Sequence, residues 1–159
     1  GLEGNERFTV KIGFDQHMGD LYPFTLRNKL SVITEPMTWY NEAEGNTSPW
    51  GRPIIPIEMI SVLTNYVGNP SNFKVKGPVI GLFANQEIKL FKGPLFVNEE
   101  YQIEKKIIAV SQSKRVETYW CMTYVYDQNK ILVAECLLNQ AFLKDSYESY
   151  EEELKSISG

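Results

Sequence analysis

The 159-residue chain is 43% apolar, 23% charged and 13% aromatic, a balance that excludes a disordered chain and a disulfide scaffold. Its 16 basic and 20 acidic residues leave a net charge of -4, and no run of Lys or Arg is long enough to follow a phosphate backbone, so no nucleic-acid partner is expected. A chain of this length buries about 70% of its unfolded surface in one core. With no repeat or linker to divide it, residues 1–159 are expected to form a single domain.

The N-terminal segment carries the single histidine, His17, between Asp15 and Asp20. Histidine suits proton transfer near neutral pH, but its position reads first as an exposed loop. A short helix is expected over 36–44. The long apolar segment 54–67 follows the Pro-bearing Trp50-Gly51-Arg52-Pro53 and is stopped by Gly68-Asn69-Pro70, which marks a central helix. Its apolar residues cover most of the circumference, so other elements must wrap it. Downstream, strand-like runs occupy 79–83, 87–91, 100–110, 115–126 and 131–143, with turns at 111–114 and 127–130 joining the last three into an antiparallel meander. A closing helix can start after Asp145, and the Glu148, Glu151, Glu152, Glu153 cluster reads as a solvated end. The layout is α+β, a curved antiparallel sheet around one long central helix.

Cys121 and Cys136 fall on neighbouring strands with no CxxC and no histidine near them, so they read as buried thiols, and neither a metal nor a cofactor is expected. There is no apolar run long enough to cross a membrane and no signal-peptide pattern, so a cytoplasmic location and no membrane partner are expected. Without a secretory signal, the Asn46-Thr47-Ser48 triplet has no consequence as a glycosylation acceptor.

The stretch Gln86-Glu87-Ile88-Lys89-Leu90-Phe91-Lys92-Gly93-Pro94-Leu95-Phe96-Val97-Asn98-Glu99-Glu100 resembles the strand-turn-strand of the MaoC-like dehydratases, with Asn98 where glycine is usual. Trp50-Gly51-Arg52-Pro53-Ile54-Ile55-Pro56 resembles that family's Phe-Gly-x-Pro-Ile-x-His lead into the central helix, with Pro56 in place of the histidine. The likeness extends over roughly residues 26–143. It implies a hot-dog fold and an acyl thioester ligand. The family's Gly-Asp-x-Asn-Pro-x-His loop, whose Asp and His activate water, is matched by Gly45 for the glycine and Asn46 for the Asp, with the histidine position absent.

Glu58 is the one charge of the central helix and forms a polar stripe with Ser61 and Asn65 at spacings of three and four. Some hot-dog thioesterases carry their acidic residue on this helix, so the resemblance implies a Glu58 able to deprotonate a hydrolytic water; a Glu here also complements the helix dipole. By the same likeness Tyr40 and Asn46 join Glu58 as catalytic candidates, and Asn41, Trp50, Ile54 and Ile55 line a substrate crevice, with the N–H groups of Ile54 and Ile55 free to polarise a carbonyl. Trp39, Tyr40 and Trp50 also read as core or interface aromatics. Three functions stay open: an acyl dehydratase or hydratase relative with a non-standard or lost site, a thioesterase using Glu58, and a non-catalytic module binding a hydrophobic small molecule. An exposed sheet edge leads to the expectation of a homodimer or a dimer of dimers.

Overall fold

The computed structural model describes residues 5–19, 22–67 and 81–143. Five strands form one sheet: β1 (Asn5–Val10), β2 (Gly81–Leu90), β3 (Tyr101–Gln112), β4 (Val116–Tyr126) and β5 (Leu132–Leu143), in the order β1-β3-β4-β5-β2 with every neighbouring pair antiparallel. β3, β4 and β5 are the expected meander. Asp127 builds the second turn by accepting from the N–H groups of Asn129 and Ile131 on its Oδ1, at 2.8 and 3.0 Å. Of the runs expected at 79–83 and 87–91, residues 81–83 and 87–90 are parts of one strand, β2, with a register shift between Phe83 and Asn85; positions 79 and 80 lie outside the described residues. A second shift, between Ile107 and Ala109 of β3, falls beside the same Trp120–Asn139 pair of β4 and β5. Paired bulges at one height bend a sheet.

Period-two alternation divides the side chains. The inner face carries Phe8, Val10, Tyr101, Ile103, Val125, Ala134 and Ile88, all within one apolar core. Lys105, Thr123 and Cys136, which are paired in register, interrupt that face and are almost wholly buried. Burial lowers the Lys105 ammonium from its ordinary value. Cys121 and Cys136 are free, buried thiols, as expected. Cys121 stands opposite Leu138 and Cys136 opposite Thr123, so the two are diagonal neighbours; such neighbours lie about 7–8 Å apart, beyond disulfide reach.

Two elements were not anticipated. β1 pairs with β3, and its alternation of Arg7, Phe8, Thr9 and Val10 is the signal for it. Helix α1 (Leu26–Val32) has a reciprocal cap, in which Thr25 Oγ1 accepts from Asn28 N–H and Asn28 Oδ1 accepts from Thr25 N–H. The helix expected over 36–44 is replaced by a single 3-10 turn, Thr38–Tyr40, and a second one, Gly45–Thr47, follows it. The closing helix after Asp145 and the acidic cluster lie outside the described residues.

The central helix, α2 (Met59–Asn65), is shorter than the expected 54–67. Its residues Met59, Ile60, Val62 and Leu63 belong to the core shared with the sheet. The segment before it is extended. Ile54 bridges Phe96, its N–H donates to Trp39 O at 3.0 Å, and Ile55 N–H donates to Leu95 O at 2.8 Å. Pro53 and Pro56 favour extended conformations in the residues before them. The α-helix consequently starts only beyond Glu58, its N-cap.

Candidate functional site

The loop leading to α2 is closed on itself. Ser48 Oγ donates to Arg52 O at 2.6 Å, and Gly51 N–H donates to Ser48 O at 2.9 Å. Gly45 packs so tightly on Pro53 that an added Cβ would stand 2.4 Å from the proline Cβ. Behind the loop, Val97 N–H donates to Pro53 O at 3.1 Å and Asn98 N–H donates to Ile12 O at 2.8 Å. Asn98 adopts φ 65, the left-handed region where Gly is commonest and Asn is tolerated. That accounts for the residue type at this turn. From the front, Arg27 binds Asp15 through two hydrogen bonds, at 2.7 and 2.9 Å, and Glu42 at 2.5 Å, clipping three segments together.

Glu58 stands at the foot of α2, exposed, its carboxylate without a hydrogen bond or ion pair to any other described residue. Its charge reaches two half-buried tyrosines. Burial first, then Glu58, then Glu35 raise the Tyr40 phenol above its ordinary value; at Tyr22 the causes are burial, Glu58 and Tyr66. Both phenols therefore hold their protons at neutral pH and can donate. Tyr22 stacks on Tyr66 at 5.7 Å between ring centres, and its hydroxyl lies 3.8 Å from Met59 Sδ. The structure thus sets Glu58 and Tyr40 within electrostatic reach and adds Tyr22, which the sequence reading missed. The N-cap Glu58 makes no side-chain capping bond.

The other candidates are placed differently. Asn46 is exposed on the second 3-10 turn, which packs against the turn carrying Tyr40; no hydrogen bond links it to Tyr40 or Glu58 among the described residues. Asn41 is exposed, its side-chain amide 3.5 Å from Glu44 Oε2. Trp50 is 46% exposed and meets Trp39 and Phe96 edge-on at 5.8 and 6.3 Å, while the Arg52 guanidinium lies 3.6 Å from the Phe96 ring centre. Ile54 and Ile55 are buried, and because their N–H groups bond Trp39 O and Leu95 O, neither amide is available to polarise a carbonyl. The polar stripe splits. Gln86 Nε2 donates from the sheet to Ser61 Oγ at 2.7 Å, and Asn65 Nδ2 donates back to Ser61 O of its own helix at 2.9 Å, so both are partly buried while Glu58 alone of the three is exposed. His17 is exposed in the loop after β1. No cluster of metal-ligating side chains occurs among the described residues, and no described helix is long and apolar enough to cross a membrane.

No family model and no curated protein matches the sequence. Solved structures do. A MaoC-like dehydratase from Rhodospirillum rubrum is 14% identical, covers 89% of this chain and 93% of its own, and superposes with a TM-score of 0.59. The C-terminally truncated HadBC (3R)-hydroxyacyl-ACP dehydratase complex from Mycobacterium tuberculosis gives 13%, 89%, 97% and 0.63 for the same quantities. The (R)-hydratase from A. caviae involved in PHA biosynthesis gives 17%, 88%, 95% and 0.55. At these identities the likeness shows the fold, and that fold is the expected α+β hot-dog.

Proposed function

We propose that the chain binds an acyl thioester, of acyl-CoA or acyl-carrier-protein type, beside the foot of α2, with Tyr40 donating to the thioester carbonyl. The observation that carries this reading is the fold shared with two dehydratases and an (R)-hydratase, in which the half-buried Tyr40 has its phenol raised above the ordinary value by burial first and by the Glu58 charge second. Hydration of an enoyl thioester needs an acid and a base placed at the reacting carbons. By the family resemblance Asn46 takes the position of the Asp; the loop is closed by Ser48, and the single histidine is His17. Little or no hydration of a short 2-enoyl-CoA is therefore expected.

A second reading, thioester hydrolysis, is favoured by one feature: Glu58 has no cation among the described residues to quench it as a base. Its carboxylate would take a proton from water as the oxygen attacks the carbonyl. The C–S bond then breaks, and the thiolate leaves with the proton that Glu58 returns. Asn41, Asn46, Trp50, Ile54 and Ile55 remain proposed as lining. The chain is further proposed to act as a homodimer or a dimer of dimers, in keeping with the position of the ten-residue β2 at the edge of the sheet among the described residues.

Titration of the chain with a non-hydrolysable acyl-CoA analogue, beside an assay of thiol release from acyl-CoA, tests both readings. Tyr40→Ala should weaken analogue binding about tenfold or more, since it removes ring area and a donor. Glu58→Gln should leave binding nearly unchanged and, if hydrolysis occurs, reduce it about 10²–10⁴-fold. Absence of analogue binding by the unmodified chain would overturn the proposal.

A further inference from the structure

We propose that the outer face of the sheet carries a second binding site, for a small phosphate monoester, in the cleft formed by Arg7, Thr9, Gln102, Glu104, Tyr126 and Lys130. The cleft has a volume of about 340 Å³, within the range of small-molecule sites. It belongs to the face opposite α2. Arg7, Thr9, Gln102, Glu104 and Tyr126 alternate with the core residues Phe8, Val10, Ile103 and Val125 along their strands, and registry places Thr9, Gln102 and Tyr126 in one row beside Arg7 and Glu104.

Charge decides the ligand class. Glu104 is the only carboxylate of the lining, and its side chain is just 12% exposed. Its Oε1 lies 2.9 Å from Lys106 Nζ and its Oε2 lies 3.4 Å from Arg7 Nη2. Lys106 therefore neutralises it from outside the cleft. Arg7, 79% exposed, keeps most of its five N–H donors for another acceptor. Lys130 supplies the second cation from the β4–β5 turn, and its backbone is held there: Lys130 has φ 64 and its N–H donates to Asp127 O at 3.0 Å. Thr9, Gln102 and Tyr126 add three side chains able to donate.

Arg7, Lys130 and Lys106 set against the single carboxylate Glu104 leave a net charge of +2 at the cleft, which with the row of donors matches a group carrying about two negative charges and three acceptor oxygens, a phosphate monoester. A monocarboxylate would leave one cation unanswered. The volume exceeds what a phosphate ion fills, leaving room for an organic part beside the half-buried Tyr126. The inference is independent of the thioester site.

Calorimetric titration of the full chain at low ionic strength, with adenosine 5′-monophosphate, inorganic phosphate and adenosine as separate probes, tests it. The nucleotide should bind, adenosine should not, and inorganic phosphate should bind more weakly. Arg7→Gln and Lys130→Gln should each weaken the nucleotide about tenfold, and added salt should weaken it in the unmodified chain. Lys89→Gln, elsewhere in the sheet, should change nothing, and thermal melts of each variant should match the parent. Failure of the nucleotide to bind would overturn the proposal. So would equal binding of adenosine or of inorganic phosphate, or nucleotide affinity that Arg7→Gln and Lys130→Gln leave unaltered in folded protein.

Discussion

Tyr101 is the largest side chain buried almost completely, at 1% exposure, and its hydroxyl does two jobs at the base of the loop. It accepts from Phe96 N–H at 2.8 Å and donates to Glu99 Oε2 at 2.7 Å, and Glu99 in turn faces Arg52 Nη1 at 3.6 Å. Burial raises its phenol strongly, so this donor is retained through alkaline pH. Tyr101→Phe should cost about 1–3 kcal/mol, because the Phe96 amide loses its acceptor inside the protein. The check is a lower urea midpoint at an unchanged m-value. At this scale the sequence is informative where chemistry and position coincide. Glu58 stands out as the lone charge in an apolar segment, and Tyr40 falls in the stretch leading toward the family-like loop. Tyr22 carries no such mark. Its contact with Met59 spans 37 residues and joins a phenol to a thioether, a pairing that no spacing rule encodes. The Ile54 and Ile55 amides were misjudged because their acceptors, Trp39 O and Leu95 O, belong to distant segments.

Among the elements, the closed loop before α2 is the one whose geometry most constrains a substitution. Gly45→Ala places a Cβ against the rigid Pro53 ring, at 2.4 Å from its Cβ and 2.7 Å from its Cα, so the loop must move. A loss of about 1–3 kcal/mol is expected, read as a lower thermal midpoint, with acyl-analogue binding weakened as well if the loop borders the site. Retained stability would place the loop elsewhere. The long strands β3, β4 and β5 were legible because their alternating runs are bounded by turn residues such as Asp127, whose capping role follows from its side chain. The helix boundary was not, since Ile54 and Ile55 continue the apolar run of α2 while their backbone is extended, Ile54 bridging Phe96 and Ile55 bonding Leu95 O. β1 and α1 have local signals, the alternation through Phe8 and Val10 and the Thr25–Asn28 cap, but six and seven residues are short windows for either pattern.

For the whole molecule, a dimer should give a light-scattering mass about twice the 18.3 kDa of the chain at micromolar concentration; a stable monomer would refute the proposed pairing. The buried Lys105 has a different consequence, one of proton exchange with solvent. Its ammonium is depressed chiefly by burial, with Cys121, Glu6 and Cys136 opposing that shift in decreasing order. The unfolded chain therefore holds a proton at Lys105 over a pH interval, below the ordinary value of 10.5, in which the folded chain has already released it. Folding there expels a proton, and the lysine's contribution to stability rises as the pH climbs through the interval and declines as it falls. Cys121 acts in the opposite sense. Burial raises its thiol above 9.0 while the Lys105 charge opposes the shift, so its contribution is lost as the pH rises above that value, and Lys105→Met, by removing the opposing charge, makes that loss no smaller in the variant. The difference in unfolding free energy between Lys105→Met and the parent should consequently shift in the parent's favour on approaching pH 10.5. A difference that stays flat from neutral to pH 10.5 would mean that the ammonium is as well solvated inside the fold as outside it.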